Sequence, residues 1–323
     1  MPYQKLEKIV QNKTPRRQDV KTPKSLLLII VLIILCSPCI ASNRNTIQID
    51  ALYWQASENG LGFALHNNTI KNPTFDWEPG FRIGYGYSFP HDRWNLSLIW
   101  THYHAHSTVN VEAAAKPLIP TWASTDQPGN LDTAQARWRL HLGLLDLTLA
   151  RCLPCSDLQL TPYCGVRYAV IRHKYFLNYV GGTLFPDGED LIHTKNKFWG
   201  IGPRAGLNTK WMFGPHWHLF ANGSLTLAFG ELYVHQSEKA SVGIPKRLEI
   251  HAINNQLRAM TDLAAGLGWS NTWFTARIEW DELFFFGQNQ LKNFINALQS
   301  PKFIDRNDDL TLSGLTFSLY FQL

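Results

Sequence analysis

Apolar and polar side chains alternate right up to the carboxyl terminus in the final fourteen residues, LTLSGLTFSLYFQL, which begin at Leu310 and end at Leu323. Leu315, Phe317, Leu319, Phe321 and Leu323 fall on one face, with Gly314, Thr316, Ser318, Tyr320 and Gln322 on the other. Strand side chains alternate with period 2, so this is a strand with one oily and one mostly polar face, and a helix of period 3.6 does not fit it. Outer-membrane barrels place such a strand last, with lipid on one side and a wet lumen on the other.

The opposite end points to the same compartment. Lys5, Lys8, Lys13, Arg16, Arg17, Lys21 and Lys24 precede an unbroken apolar run from Leu26 to Leu35. Ten apolar residues are too few for a membrane-spanning helix, which needs about 20, but suit the core of a signal peptide. Cys39-Ile40-Ala41 resembles a small-residue cleavage site, so residues 1–41 are read as a removed leader and 42–323 as the mature barrel domain. The precursor carries 30 basic and 25 acidic residues; the leader takes seven and two of them, leaving 23 of each sign. The basic character therefore belongs to the leader and is no argument for nucleic acid.

The alternation recurs along the chain. Phe75, Trp77, Phe81, Ile83, Tyr85, Tyr87 and Phe89 share one face, and Trp94, Leu96, Leu98 and Trp100 share the next. Trp138, Leu140, Leu142 and Leu144 face away from Arg137, Arg139 and His141; the apolar phase then slips to Leu147 and Leu149, which predicts a β-bulge at Leu144-Leu145. Further strands are expected at 158–172, 198–212, 217–232, 250–269 and 273–286, with weaker ones at 46–56 and 60–66. Short connections at 90–92, 151–156, 214–215 and 270–272 alternate with long ones at about 106–134, 178–196, 233–248 and 287–309. Bacterial barrels have short periplasmic turns and long external loops, which orients the chain. The strand count is eleven, an odd number, and both termini should be periplasmic, so about twelve strands are expected, within a range of 10 to 16. The fold class is all-β, a transmembrane antiparallel barrel crossing the bacterial outer membrane many times. A soluble sandwich would carry a polar outward face in place of Leu and Trp.

Several blocks are similar to the Legionella-type major outer membrane protein family of pore-forming barrels, which also occurs in chlamydia-related bacteria. They are Asp50-Ala51-Leu52-Tyr53-Trp54, Trp77-Glu78-Pro79-Gly80-Phe81-Arg82-Ile83-Gly84, NLSLIWTH from Asn95, Arg137-Trp138-Arg139-Leu140, and NKFWGIGPRAGLNTK from Asn196 followed by Trp211. The resemblance implies a porin-like role and brings no catalytic residues. Leu323 stands where a terminal Phe is more usual.

With the apolar face toward lipid, the opposite face of the strands carries Arg82, Arg137, Arg139, Arg167, Arg204, Lys210, Arg258 and Arg277, against few inward acids such as Asp262 and Glu279. These are the expected pore-lining residues, and a basic lumen lowers the barrier for anions. The competing reading pairs the arginines with loop carboxylates such as Asp187, Glu189 and Asp305. Cys152 and Cys155, in a predicted periplasmic turn, form a candidate disulfide, while Cys164 shares the lipid-facing phase. His102, His104 and His106 share a strand face just beyond Trp100 and read as polar rim residues, not metal ligands. No nucleophile–base pair, phosphate loop or dinucleotide fingerprint appears, so neither an enzyme nor a cofactor is expected.

These features lead to a passive outer-membrane channel for small hydrophilic solutes and ions, weakly anion-selective. The alternative is a surface barrel whose long loops bind a host or neighbouring protein and which conducts little. The expected partners are outer-membrane lipid, small hydrophilic solutes and, through Leu310 to Leu323, the barrel assembly machinery. Self-association into a homo-oligomer is left open.

Overall fold

In the computed structural model, residues 45–90, 93–114, 116–123, 129–155, 158–240, 248–289, 292–296, 302–305 and 308–323 are described. The leader and its cleavage site lie outside them. Ten long strands make the wall: β1 Asn45–Glu58, β2 Trp77–Ser88, β3 Trp94–Glu112, β4 Thr133–Arg151, β5 Leu158–Gly181, β6 Phe185–Met212, β7 Trp217–Ala240, β8 Leu248–Ser270, β9 Phe274–Asn289 and β10 Asp308–Gln322. Each pairs antiparallel with its chain neighbours, and β10 returns to β1 in register from Thr46↔Gln322 to Glu58↔Leu310. The sheet thus closes on itself with no free edge, the one way a sheet satisfies its backbone groups in lipid.

Ten strands stand in place of the expected twelve. Residues 60–66, read as a strand from sequence, never join the wall. They enter the barrel mouth and form a small three-stranded patch of Ala64–His66, Thr69–Lys71 and Leu118–Pro120. Removing that segment from a count of eleven leaves an even ten. The hairpin within the patch turns at Asn67 and Asn68, both at positive φ (51° and 59°), the left-handed conformation that asparagine tolerates and tight hairpins require. The expected long loops at 178–196 and 233–248 are largely strand: β5 and β6 run on to a tight turn where Gly181 and Gly182 both have positive φ (73° and 70°).

Side chains alternate across the wall as the C-terminal strand foretold. Leu315, Phe317, Leu319 and Phe321 point out, and Thr316, Ser318 and Tyr320 point in. On β4, pairing with β3 and β5 continues without a register shift, so the expected bulge is absent. Two different apolar faces follow one another there. Trp138, Leu140, Leu142 and Leu144 face inward, and Leu145, Leu147 and Leu149 face lipid. The inward set is apolar because the mouth of the barrel is filled. Leu61, Phe63, Leu118, Trp122 and Leu131, all from loops, are at most 1% exposed and pack with Trp54, Tyr103 and Trp138 into one hydrophobic core.

Candidate lumen site

Three tiers succeed one another along the interior. At the end with short turns, polar side chains including Gln48, Asn95, Ser97, Thr148, Thr161, Asn208 and Asn222 line a cavity of about 580 Å³. Its inner limit is a girdle of ion pairs. Arg167 makes two-pronged contacts to Asp146 (2.6 and 2.7 Å) and to Asp262 (2.9 and 2.7 Å). Arg204 also bonds Asp262 and lies 3.7 Å from Asp146. Across the lumen Arg82 reaches Asp50 (3.1 Å), Asp281 (3.4 Å) and Glu279 (3.6 Å), and Asp281 accepts from Thr316 at 2.7 Å. Planar guanidinium forks suit such paired carboxylates, and the geometry holds each side chain rigid.

Beyond the girdle lies the filled mouth. Tyr175 and Tyr179, both inward on β5, donate hydroxyl bonds of 2.6 Å to the carbonyls of Leu61 and Phe63, and the Trp122 indole donates to the Gly62 carbonyl at 2.6 Å. Together with Thr121, whose N–H and hydroxyl also donate to the Phe63 and Gly62 carbonyls, these groups satisfy a loop backbone inside an apolar core. Within the same tier Glu58, 5% exposed, takes the Trp138 indole hydrogen bond at 2.5 Å and lies 2.9 Å from His173 Nδ1. The wall of β6 to β8 differs: Thr194, Asn196, Gln236 and Arg258 are buried there, and Thr194 Oγ1, both amide atoms of Gln236 and Arg258 Nε lack a hydrogen-bond partner among the described residues. Unpartnered polar side chains make this wall hydratable, unlike the apolar side.

The expected pore-lining set divides. Arg82, Arg167, Arg204, Lys210, Arg258 and Arg277 project inward, with Arg277 stacked between Phe220 and Tyr320 at 4.6 Å from each ring. Arg137 and Arg139 project outward, exposed, and this corrects the sequence reading. With no bulge, odd-numbered residues throughout β4 face out, so Arg137 and the inward Asp146 never share a face. The lumen is not basic either. Asp50, Asp146 and Asp281, missed from sequence, join Asp262 and Glu279 against Arg82, Arg167 and Arg204. The partners are wall carboxylates, not the loop acids considered from sequence. A strictly period-2 reading of 133–151 exposes Asp146; Asp50 stands in one of the two weaker strands, and the family-like block that it opens does not mark it as a partner of arginine.

Cys152 and Cys164 are free thiols, and the Cys155 side chain lies outside the described residues. Cys164 is exposed on the outer face. His102, His104 and His106 also face outward, with His106 Nδ1 2.7 Å from Glu78. His235, Glu249 and His251 converge on the outer face, their ligand atoms within 4.8 Å of one another.

A family model described as the Legionella pneumophila major outer membrane protein precursor matches residues 36–323, the whole of this barrel. The chain belongs to that family. It is an outer-membrane β-barrel protein, and family and closed sheet agree on that point. No curated protein matches it in sequence. Among solved structures it is similar to the outer membrane protease OmpT of Escherichia coli, at 11% identity and a TM-score of 0.51 over 89% of this chain and 100% of that one. Weaker likenesses are to the toluene transporter TodX of Pseudomonas putida (7% identity, TM-score 0.32, 88% and 90% covered) and to the attachment invasion locus protein Ail of Yersinia pestis (10%, 0.24, 86% and 99%). At these identities the likeness to the protease reaches the fold alone.

Proposed function

We propose that this family member is a narrow outer-membrane channel held shut, rather than an open diffusion porin. The observation that carries the reading is the capture of the Leu61 and Phe63 carbonyls inside the barrel by Tyr175 and Tyr179, which seats a loop across the mouth. A polar vestibule, a charged girdle and a hydratable wall beside the seated loop are the parts of a solute path, and the loop is what interrupts it. Selectivity in such a pore comes from fixed charges at the constriction. Here Arg82, Arg167 and Arg204 are each matched by carboxylates, so the girdle itself favours neither sign strongly, and the inward cations left to attract anions are Lys210, Arg258 and Arg277.

A second reading, a surface barrel that displays its loops and conducts little, is favoured by the dryness of the β1 to β5 side of the mouth. Planar-bilayer recording of the refolded mature chain separates the two. The wild type is expected to show rare, small openings. A Tyr175→Phe/Tyr179→Phe variant, which loses both hydroxyl anchors and keeps both rings, is expected to open far more often. A large steady wild-type current overturns the seated loop, and silence of both proteins favours the surface barrel.

A further inference from the structure

The outward face of the wall carries a charge pattern that conduction does not use. Reading across six strands, Trp100, Leu145, Tyr168, Ile201, Phe229 and Leu257 stand directly opposite one another, an unbroken apolar and aromatic row. Six residues farther along the same strands, toward the loops, the row is His106, Arg139, Lys174, Lys195, His235 and His251, again each directly opposite the next. Between the two rows lie Arg172 and Lys197, also paired across β5 and β6. Like charges directly opposite on neighbouring strands destabilise a sheet, so this arrangement needs an anion from outside the wall.

Acids are few: Glu231, opposite the outward Trp199, lies between the rows, and the others stand at the ends. Glu78 contacts His106, and Glu249 lies 3.4 Å from both His235 and His251. Among the described residues Arg139, Arg172, Lys174, Lys195 and Lys197 have no carboxylate within ion-pair distance. The belt is also one-sided. Toward the loops on β9, β10 and β1 the outward residues are Glu282, Phe284, Ser313, Thr311, Gln55 and Ser57, without a cation. A solubilising rim would run all the way round.

Position identifies the occupant. Lys197 and Lys195 lie two and four residues beyond the outward Trp199, which at about 3.4 Å per residue and a tilt near 40° is roughly 5 and 10 Å along the barrel axis. A bilayer's headgroup layer adds only about 5–8 Å per leaflet to the apolar core, so the cations begin inside it and end at its outer edge. We propose that this belt binds the phosphate groups of a phosphorylated lipid in the outer leaflet, whose acyl chains lie on the apolar row while Arg139, Arg172, Lys174, Lys195 and Lys197 hold the headgroup. Arginine forks and lysine ammonium groups are the side chains that recognise phosphate. A second copy of this chain is a poor occupant, because the described outward face offers no matching acidic patch.

The test uses the full mature barrel, refolded and passed into detergent micelles doped with phosphorylated lipid A, the same lipid dephosphorylated, or phosphatidylcholine, with bound lipid counted by native mass spectrometry. Wild type is expected to retain the phosphorylated lipid at least about tenfold better than its dephosphorylated form, since each cation near an anionic surface adds roughly a fivefold preference. Arg139→Gln/Lys174→Gln/Lys195→Gln should abolish the preference, and Arg151→Gln, at the turn end, should leave it intact. Folding of each variant is checked by heat-modifiable migration. Equal retention of both lipid A forms, a preference that survives the triple substitution, or displacement by millimolar inorganic phosphate overturns the proposal.

Discussion

At the residue scale the girdle arginines are worth more to the barrel than their number suggests. Arg167 is 2% exposed and is shared by Asp146 and Asp262, which face each other from β4 and β8 across the lumen. Breaking a buried pair by removing one partner costs about 3–5 kcal/mol, because an uncompensated charge stays behind. Arg167→Ala is therefore expected to lower the unfolding free energy of the vesicle-reconstituted barrel, read from urea titration, by that order, and adding Asp146→Asn, which leaves Asp262 paired with Arg204, should recover much of the loss. Arg139→Ala on the outer face should move the midpoint little. Equal effects of Arg167→Ala and Arg139→Ala would mean that the girdle is wet enough to screen its own pairs.

At the element scale, the odd positions of β6 provide the depth gauge. Trp199 and Trp211 both face out and lie twelve residues apart, about 31 Å along the axis at 3.4 Å per residue and 40° of tilt, enough to bracket an apolar band of about 25 Å. Trp94 and Trp100 on β3, only six residues apart, span about half of that. Spin labels at Ile201, Ala205 and Leu207, after Cys152, Cys155 and Cys164 are changed to Ser, should be open to oxygen and closed to an aqueous nickel complex. A label at Lys195 should show the reverse, and one at Phe198 should be shielded from both. A label at Phe198 as lipid-accessible as that at Ile201 would put the strand on the wrong phase.

The same strand explains what was legible. Wherever one face meets lipid and the other meets water, as in Leu315 to Leu323 or Trp94 to Trp100, hydropathy alone assigns the faces, and the structure agrees. Legibility fails where the interior is as apolar as the exterior. Leu140, Leu142 and Leu144 look like lipid-facing residues because two loops, through Phe63 and Trp122, make their surroundings oily. Period 2 does not say which side the oil is on, and a bulge was the cost-free way to reconcile two successive apolar sets. The girdle was half legible: Arg82, Arg167 and Arg204 were found, but their partners Asp50, Asp146 and Asp281 come from other strands whose register no single strand reveals.

At the scale of the whole molecule, the placement of charge fixes what should and should not alter conduction. Arg137 and Arg139 are outside the wall, separated from the lumen by the sheet itself, and Arg137 lies over the outward Phe176 ring at 5.8 Å. Reversing both to Glu is thus expected to leave the reversal potential in a KCl gradient unchanged, measured in the Tyr175→Phe/Tyr179→Phe background so that current is plentiful. Asp146→Asn/Asp262→Asn in that background frees Arg167 and Arg204 from their counter-charges in the constriction, and the potential should move toward anion selectivity. Because salt at 0.15 M screens charges beyond about 8 Å, the shift should shrink as salt rises, yet persist if ions pass within a few ångströms of the guanidinium groups. A shift caused by Arg137→Glu/Arg139→Glu would place β4 on the opposite phase and with it the girdle. No shift on removing both aspartates would mean that ions bypass the girdle along the polar wall of β6 to β8.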